Sequence, residues 1–416
     1  MTEPESNNPS TMPPPETGEP GTLAARLALR QRAGGVAVPV ATVLLAFLMG
    51  GVVVAATQHS VHKALVAYKD IFDGAGLNWI FHPTTNLINF PAYNLSQTLL
   101  QTTTLILTGL AVAFAFRCGM FNIGGQGQYF VGLIVANWLG VDFAGLSPLP
   151  HIVIAIGGAT LAGAAWAGIA GVLKATVGAH EVISTIMLNW IAIWVGEWLF
   201  GDGGPLQNST QPFVPVSNNI AKSAELPTFW GTQGFQGLDI GIFIALGALV
   251  VFWALLNRTT LGYEVRAVGF NPDAAAYGGI NVKKNLVRAM AISGGFAGLA
   301  GAVDMLGYLY HYGQLDIPVS QVGFLGIAVA LLGRNTAVGT LFGALLFGGL
   351  LFGTTHGLNA GAVIQPELAG NLTWIIEGLV VLFVGADVLI LYVWNSRKKL
   401  RPRRLSKASS ATEAAA

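Results

Sequence analysis

Charge is what this chain has least of. Asp, Glu, Lys and Arg make up 10% of its 416 residues, against 53% hydrophobic residues. A soluble domain normally carries about 25% charged residues, so too few groups are present to face water on all sides. No one sign dominates either: the formal net charge is +1, which leaves no field to gather nucleic acid and excludes it as an expected partner. Cysteine is nearly missing. With Cys118 alone, an internal disulfide and a cysteine zinc cluster are both excluded. No G-x-x-x-x-G-K-[ST] stretch is present, so the chain is not expected to hold ATP in a P-loop. No His/Asp/Glu set has metal-ligand spacing, and no nucleophile–base pair marks an enzyme. The first apolar run begins near Val36, too far in for a standard cleaved signal.

What is present is hydropathy and glycine. Mean hydropathy is +0.60, and the 54 glycines suit closely packed membrane helices. Runs long enough for a bilayer lie near 37–57, 97–116, 126–140, 151–173, 182–201, 238–257, 288–310, 337–354 and 369–394. A shorter run, 321–333, is bounded by Pro318 and Arg334 and reads as a crossing or as a half-helix inside the bundle. Counting it predicts an all-α, polytopic transmembrane helical bundle with about ten crossings. With the N-terminus in the cytoplasm, alternation leaves Lys63, Lys69 and Lys222 outside and the other 18 of 21 Lys and Arg inside. Without the short crossing the basic tail would lie outside. Three regions follow. Residues 1–35 are expected to be a disordered cytoplasmic tail, 36–395 the transmembrane domain with a cytoplasmic loop at 258–287, and 396–416 a basic, disordered tail. The long outer loops 58–96 and 202–237 read either as a lid or docking surface or as plain solvated connections.

Gly109–Arg117 and Gly326–Arg334 match at five of nine positions and run in the same direction in this topology. Transporters are often built from such repeats around a midplane site. After Arg117 come Asn122, Gln126 and Gln128 among three glycines. Irregular backbone at membrane depth survives only if buried in protein or lining a cavity. The segment therefore reads as an unwound hinge lining a path for a polar, uncharged solute, or as a turn with polar caps. Glu181, Ser184, Thr185 and Asn189 share one side of a helix and read as pathway lining or interhelical glue. Trp190, Trp194 and Trp198 continue at helical spacing and read as an interfacial belt or, second, as a row on which a base or sugar could stack. Asp304, Asn371, Glu377 and Asp387 are further ionisable or polar groups at membrane depth, Glu377 the deepest.

In the cytoplasmic loop, Asn271 before Pro272 is an N-cap followed by a first-turn proline, and Asp273 suits the positive end of a helix. Ala274, Ala275 and Ala276 favour helix, and Gly278 and Gly279 stop it. The result is a short capped helix that reads either as a face whose small side chains let another protein surface approach or as a surface helix joining two spans.

Three ordered blocks, Gly119–Gln128, Glu181–Asn189 and Gly269–Ile280, resemble the permease subunits of bacterial ATP-binding-cassette importers. The branch is the one for simple sugars, nucleosides and branched-chain amino acids, and the first block is most similar to nucleoside permeases. The resemblance covers roughly residues 37–395. It implies a cytoplasmic ATPase subunit that uses the ATP, a second permease subunit making a heterodimer, an extracytoplasmic solute-binding protein, and a place in the bacterial plasma membrane. It implies no cofactor on this chain. It further implies that Gly269, Asn271, Ala274, Ala275, Ala276 and Gly278 contact the ATPase; the candidate path residues are those read from the sequence itself, Asn122, Gln126, Gln128, Glu181, Ser184, Thr185, Asn189 and Glu377. Family members often carry Glu where Gln126 stands, so no carboxylate role carries over there. An autonomous ion-coupled carrier using Asp304 or Glu377 is the competing reading.

Overall fold

The computed structural model of the chain describes residues 23–83, 90–211, 213–228, 235, 237–316 and 321–358, with six positions between 374 and 382. In chain order the helices are α1 (Leu23–Gln58), α2 (Val61–Gly74), α3 (Asn78–Phe81), α4 (Phe90–Arg117), α5 (Gly125–Asp142), α6 (Pro148–Val177) and α7 (Glu181–Phe200). They continue with α8 (Gly241–Arg258), α9 (Thr260–Phe270), α10 (Pro272–Tyr277), α11 (Val282–Asp304), α12 (Val322–Leu332) and α13 (Ala337–Gly357). Among the described residues there are isolated bridges but no strand, and seven helices are long and apolar enough to cross a membrane. The chain is a multi-pass, all-α membrane protein.

The helix bundle has two chemically distinct ends. Arg117, Lys174, Arg258, Arg266 and Arg334 lie where α4, α6, α8, α9 and α12 finish or turn, and define a basic end. The opposite, loop end joins residues 205–228 to the chain after α11. There Ser217 N donates to Tyr312 O (3.0 Å), Ile220 N to Tyr310 O (2.9 Å) and Leu226 N to Leu306 O (2.7 Å). The 202–237 loop is therefore pinned onto the bundle by backbone hydrogen bonds. Within 58–96, α2 buries Ala64, Ala67, Ile71 and Gly74 and packs on α13 and α1. This part of the loop is a folded layer rather than a solvated connection.

The core is built by α4, α5, α6 and α11. Lipid is as apolar as the helices, so association there depends on close van der Waals contact. The α6–α11 contact is the most extensive in the bundle, and its seam is made of Gly163, Gly294 and Gly298. A Cβ on Gly298 would sit 2.5 Å from the Ala159 carbonyl oxygen, so only glycine lets the two backbones meet. The outward faces of α6 and α7 stay apolar and uncovered. Trp190, Trp194 and Trp198 are 53%, 62% and 66% exposed, a row about 12 Å long by helical rise.

Several expectations shift. Helix α1 begins at Leu23, inside the expected disordered tail, because Leu23–Arg32 is rich in the strong helix formers Ala, Leu and Arg. The short run is the 11-residue α12, about 16 Å long and too short to span a bilayer core alone. Even so, the chain changes ends there: Asp316 N bonds Gly313 at the loop end, while Asn335 meets Arg117 at the basic end. Helix α12 is thus a short apolar helix whose flanking described residues lie toward opposite ends of the bundle. Glu377, Asn371, Asp387, residues 1–22 and 396–416 lie outside the described residues, as does most of 369–394.

Candidate functional site

Helix α4 ends at Arg117, and the chain turns tightly through Cys118 and Gly119, the latter at φ +74°. Burial pushes the Cys118 thiol up to about 12, so it stays protonated and unreactive. Residues 121–123 are not helical, and α5 starts only at Gly125. The depth of that start can be read from α12. Gly323 N, in its first turn, donates to Gln126 Oε1 at 2.6 Å, while Asn335, just beyond its other end, meets Arg117. Gln126 therefore sits about 15 Å in from the basic end. Residues 118–120 still bond back to the last turn of α4, and residues 121–124 then re-enter the bundle without helical hydrogen bonds and deliver the first turn of α5 to mid-depth, beside the first turn of α12.

A re-entrant backbone in a membrane must find its hydrogen bonds in protein. The amides supply them. Asn189 Oδ1 accepts from Gly127 N (2.8 Å), and Asn189 Nδ2 donates to Ile123 O (2.9 Å). Asn122 Oδ1 accepts from Gly124 N (2.9 Å) and from Gln128 Nε2 (3.0 Å). Asn122 Nδ2 donates to Gln128 Oε1 (2.9 Å) and Ser293 Oγ (2.7 Å), and Ser293 donates onward to Ala111 O (2.6 Å). Asn122, Gln126, Gln128, Asn189 and Ser293 are all buried. The network joins α4, α5, α7, α11 and α12.

Of the expected path residues, the structure gathers Asn122, Gln126, Gln128 and Asn189 here, with Thr185 one turn away on the same face of α7. A Cβ on Gly124 would lie 3.0 Å from Thr185 Cβ. Glu181 and Ser184 are not gathered. Glu181 pairs with Lys174 Nζ at 2.7 Å across the α6–α7 turn, and Ser184 Oγ donates to His180 O at 3.1 Å.

A second polar knot lies toward the loop end on three of these five helices, α4, α5 and α11. Asp304, buried at 1% exposure, accepts from Thr104 Oγ1 (2.5 Å) and Tyr129 OH (2.7 Å) and bonds Tyr308. A π-helical turn, Met305–Leu309, follows it directly, a feature frequent at functional sites. Asp239, outside the span, gives Oδ1 to Gly241 N at 2.5 Å, and burial pushes its carboxyl up to about 6. Sequence reasoning named Asp304 but missed Thr104, Tyr129, Tyr308 and Ser293. Threonines at 104 and 108, one turn apart in an apolar helix, were the available signal.

At the basic end, Asn271 Oδ1 accepts from Asp273 N and Ala274 N, both at 3.0 Å, and so caps α10. Ala274, Ala276 and Gly278 are exposed, while Ala275 turns inward at 6% exposure. Phe270 and Tyr277, flanking the helix, are 96% and 98% exposed. Gly269 packs on the backbone of Arg117 and Cys118 and faces Gly119, so the loop carrying α10 rests on the turn that begins the re-entrant segment.

Residues 94–385 match the family model described as the branched-chain amino acid transport system permease component. The chain belongs to this family. It is similar to the guanosine ABC transporter permease protein NupP of Bacillus subtilis, 40% identical over 74% of this chain and 85% of that one. It is also similar to the nucleoside ABC transporter permease protein NupB of Lactococcus lactis, 32% identical over 91% and 96%. The glucose ABC transporter permease protein TsgB13 of Haloferax volcanii is 31% identical over 83% and 86%. No solved structure matches the chain. As a permease component, it is a transport subunit of an ABC importer and not an enzyme.

Proposed function

We propose that this chain carries a nucleoside across the bacterial plasma membrane, with ATP hydrolysed by a separate cytoplasmic subunit. The observation that carries the reading is the contact between Gly269 and the Arg117–Gly119 turn. It connects an exposed, capped helix at the basic end to the buried amide network at mid-depth. In this scheme the basic end is cytoplasmic, both termini lie there, and the chain makes ten crossings. The ATPase subunit docks on α10 through Phe270, Ala274, Ala276, Tyr277 and Gly278. Closure of the ATPase dimer pushes the α9–α10 loop against residues 117–119 and shifts the re-entrant segment.

Amides and hydroxyls suit a neutral solute rich in donors and acceptors, because they offer both without a net charge to desolvate. Asn122, Gln126, Gln128, Thr185 and Asn189 line the path when it opens, and Glu377, outside the described residues, stays a candidate by its sequence alone. A second permease subunit completes the path, and an extracytoplasmic binding protein delivers the solute at the loop end. The guanosine and nucleoside relatives favour a nucleoside. The glucose relative keeps a simple sugar as the second reading.

The test is reconstitution of the chain with its ATPase, second permease and binding protein in vesicles. Guanosine-stimulated ATP hydrolysis and uptake are expected. Stimulation by hexoses and not by nucleosides selects the sugar reading. Uptake by this chain alone, abolished by an uncoupler at constant ATP, replaces both with the ion-coupled carrier.

A further inference from the structure

The basic end holds a feature the transport scheme does not use. A cavity of about 200 Å³ is lined by Arg117, Arg266, Asn257, Asn335 and Thr336. Its two arginines lie close enough to repel each other. Each spends one guanidinium N–H on a backbone carbonyl: Arg117 Nε on Asn335 O (2.9 Å) and Arg266 Nε on Gly262 O (3.1 Å). Among the described residues neither forms an ion pair. Glu264, on the same helix as Arg266, is engaged by Asn285 Nδ2 at 2.9 Å and approached by Arg288 at 4.0 Å. Arg258, nearby, stacks over Trp253 at 5.2 Å, and Trp253 also lines the cavity. Arg117 is partly buried and Arg266 exposed, and with no carboxylate paired to either among the described residues an anion placed between them meets two like charges at once.

The cavity does not end there. Thr336 and Val338, in the cap and first turn of α13, also line a second cavity of about 770 Å³ between α1 and α13. That one is apolar: Val40, Leu44, Leu332, Phe342 and Leu346 form its walls, and Arg334 stands at its lip. Val40, Leu44 and Phe342 are 51%, 65% and 65% exposed, on helices that cross the membrane, so the groove opens toward lipid. A polar, cationic compartment thus adjoins an apolar groove at the end of a membrane span.

We propose that this composite cavity is a binding site for an anionic phospholipid, its headgroup phosphate between Arg117 and Arg266 and its acyl chains in the α1–α13 groove. Guanidinium pairs with phosphate through two parallel N–H···O bonds, which fits a site with two arginine forks. Asn335 Oδ1, buried and without a partner, accepts from a headgroup hydroxyl, as phosphatidylglycerol provides. Charge complementarity sets the choice of occupant: the C-terminal tail is basic and is repelled, whereas an anionic lipid neutralises the arginines and fills the groove together. Gly269 follows Arg266 closely in the sequence and packs on the Arg117 backbone, so a lipid held there braces the α9–α10 loop.

The test is native mass spectrometry of the full-length chain released from vesicles of phosphatidylglycerol or of phosphatidylcholine. Selective retention of phosphatidylglycerol is expected. Arg117→Gln combined with Arg266→Gln is expected to weaken it about thirtyfold, and the double lysine variant to restore most of it. Leu44→Trp, which fills the groove without touching charge, is expected to lower retention of the same lipid, and guards against misfolding of the arginine variants. Equal retention of the two lipids overturns the proposal. So does unchanged phosphatidylglycerol retention in the double glutamine variant accompanied by loss of the ATPase subunit on co-purification, which assigns the arginines to a protein partner.

Discussion

Arg117 Nε donates to the Asn335 carbonyl oxygen at 2.9 Å. This bond ties the ends of the two look-alike segments, Gly109–Arg117 and Gly326–Arg334. The segments lie side by side and parallel: a Cβ on Gly326 would stand 2.8 Å from Thr108, and one on Gly109 2.8 Å from Val329. Each segment finishes in a tight turn at the basic end, after which the chain heads back into the membrane. The resemblance in sequence is therefore matched by a shared direction and a shared ending.

Asn189 is expected to hold the re-entrant segment in place. Asn189→Leu leaves Gly127 N–H and Ile123 C=O without partners, each costing about 1–3 kcal/mol. Thermal unfolding of the purified chain is expected to fall by several degrees, and uptake by the reconstituted importer to be lost. An unchanged melting temperature would show that water or another group satisfies that backbone.

The seam between α6 and α11 admits no side chain. Gly298→Val drives a Cβ toward the Ala159 carbonyl oxygen, and overpacking of this kind costs about 1–3 kcal/mol. The variant is expected to express poorly and to unfold early. Gly168→Val, at a position on α6 with open space around it, is expected to behave like the parent apart from a small propensity cost, read in the same melting experiment.

Ala275→Arg is a poor probe of ATPase docking, because Ala275 faces inward and the arginine disturbs the fold. The outward residues make the better test. Phe270→Ser with Tyr277→Ser is expected to leave the melting temperature within a degree or two. The same pair is expected to lower co-purification of the ATPase subunit at least tenfold. Retained co-purification moves the docking surface elsewhere.

Asp239 gives a pH signature. Its folded carboxyl titrates near 6, above the usual carboxylate value near 3.9, so the folded chain holds this proton more tightly than the unfolded one. Its contribution is full below about pH 4 and is lost as pH rises through 6, about 3 kcal/mol in all. Asp239→Asn is expected to flatten the fall in melting temperature between pH 4.5 and 7.5. An identical pH slope in variant and parent would sink this assignment.

The helices and their order were legible because hydropathy reports length directly. The short run at 321–333 was legible as anomalous, and in the structure it is the 11-residue helix α12. The capped helix at 272–277 was readable from Asn271 and Pro272, since capping is local chemistry. The early start of α1 was hidden by charge: Arg26, Arg30 and Arg32 lower hydropathy but favour helix. The Asp304 knot was hidden for a different reason. Thr104, Tyr129 and Asp304 are separated by up to 200 positions, and no local pattern marks three polar residues that meet only on folding. The Glu181–Lys174 ion pair was not legible, because helical periodicity places Glu181 on the face of Thr185 and Asn189 without showing that its end of the helix lies beside Lys174.

The glycine seam has a mechanical consequence. Two backbones pressed together without side chains between them have no slack, and a slip of one residue along either helix would force a methyl or larger group into a space that holds none. Helices α6 and α11 therefore travel as one bar. The amide network is the opposite kind of joint, since a carboxamide that gives up one partner can take another at little net cost. Alternating access in this chain is then a matter of exchanging hydrogen bonds around residues 118–128 while the bar beside them keeps its shape.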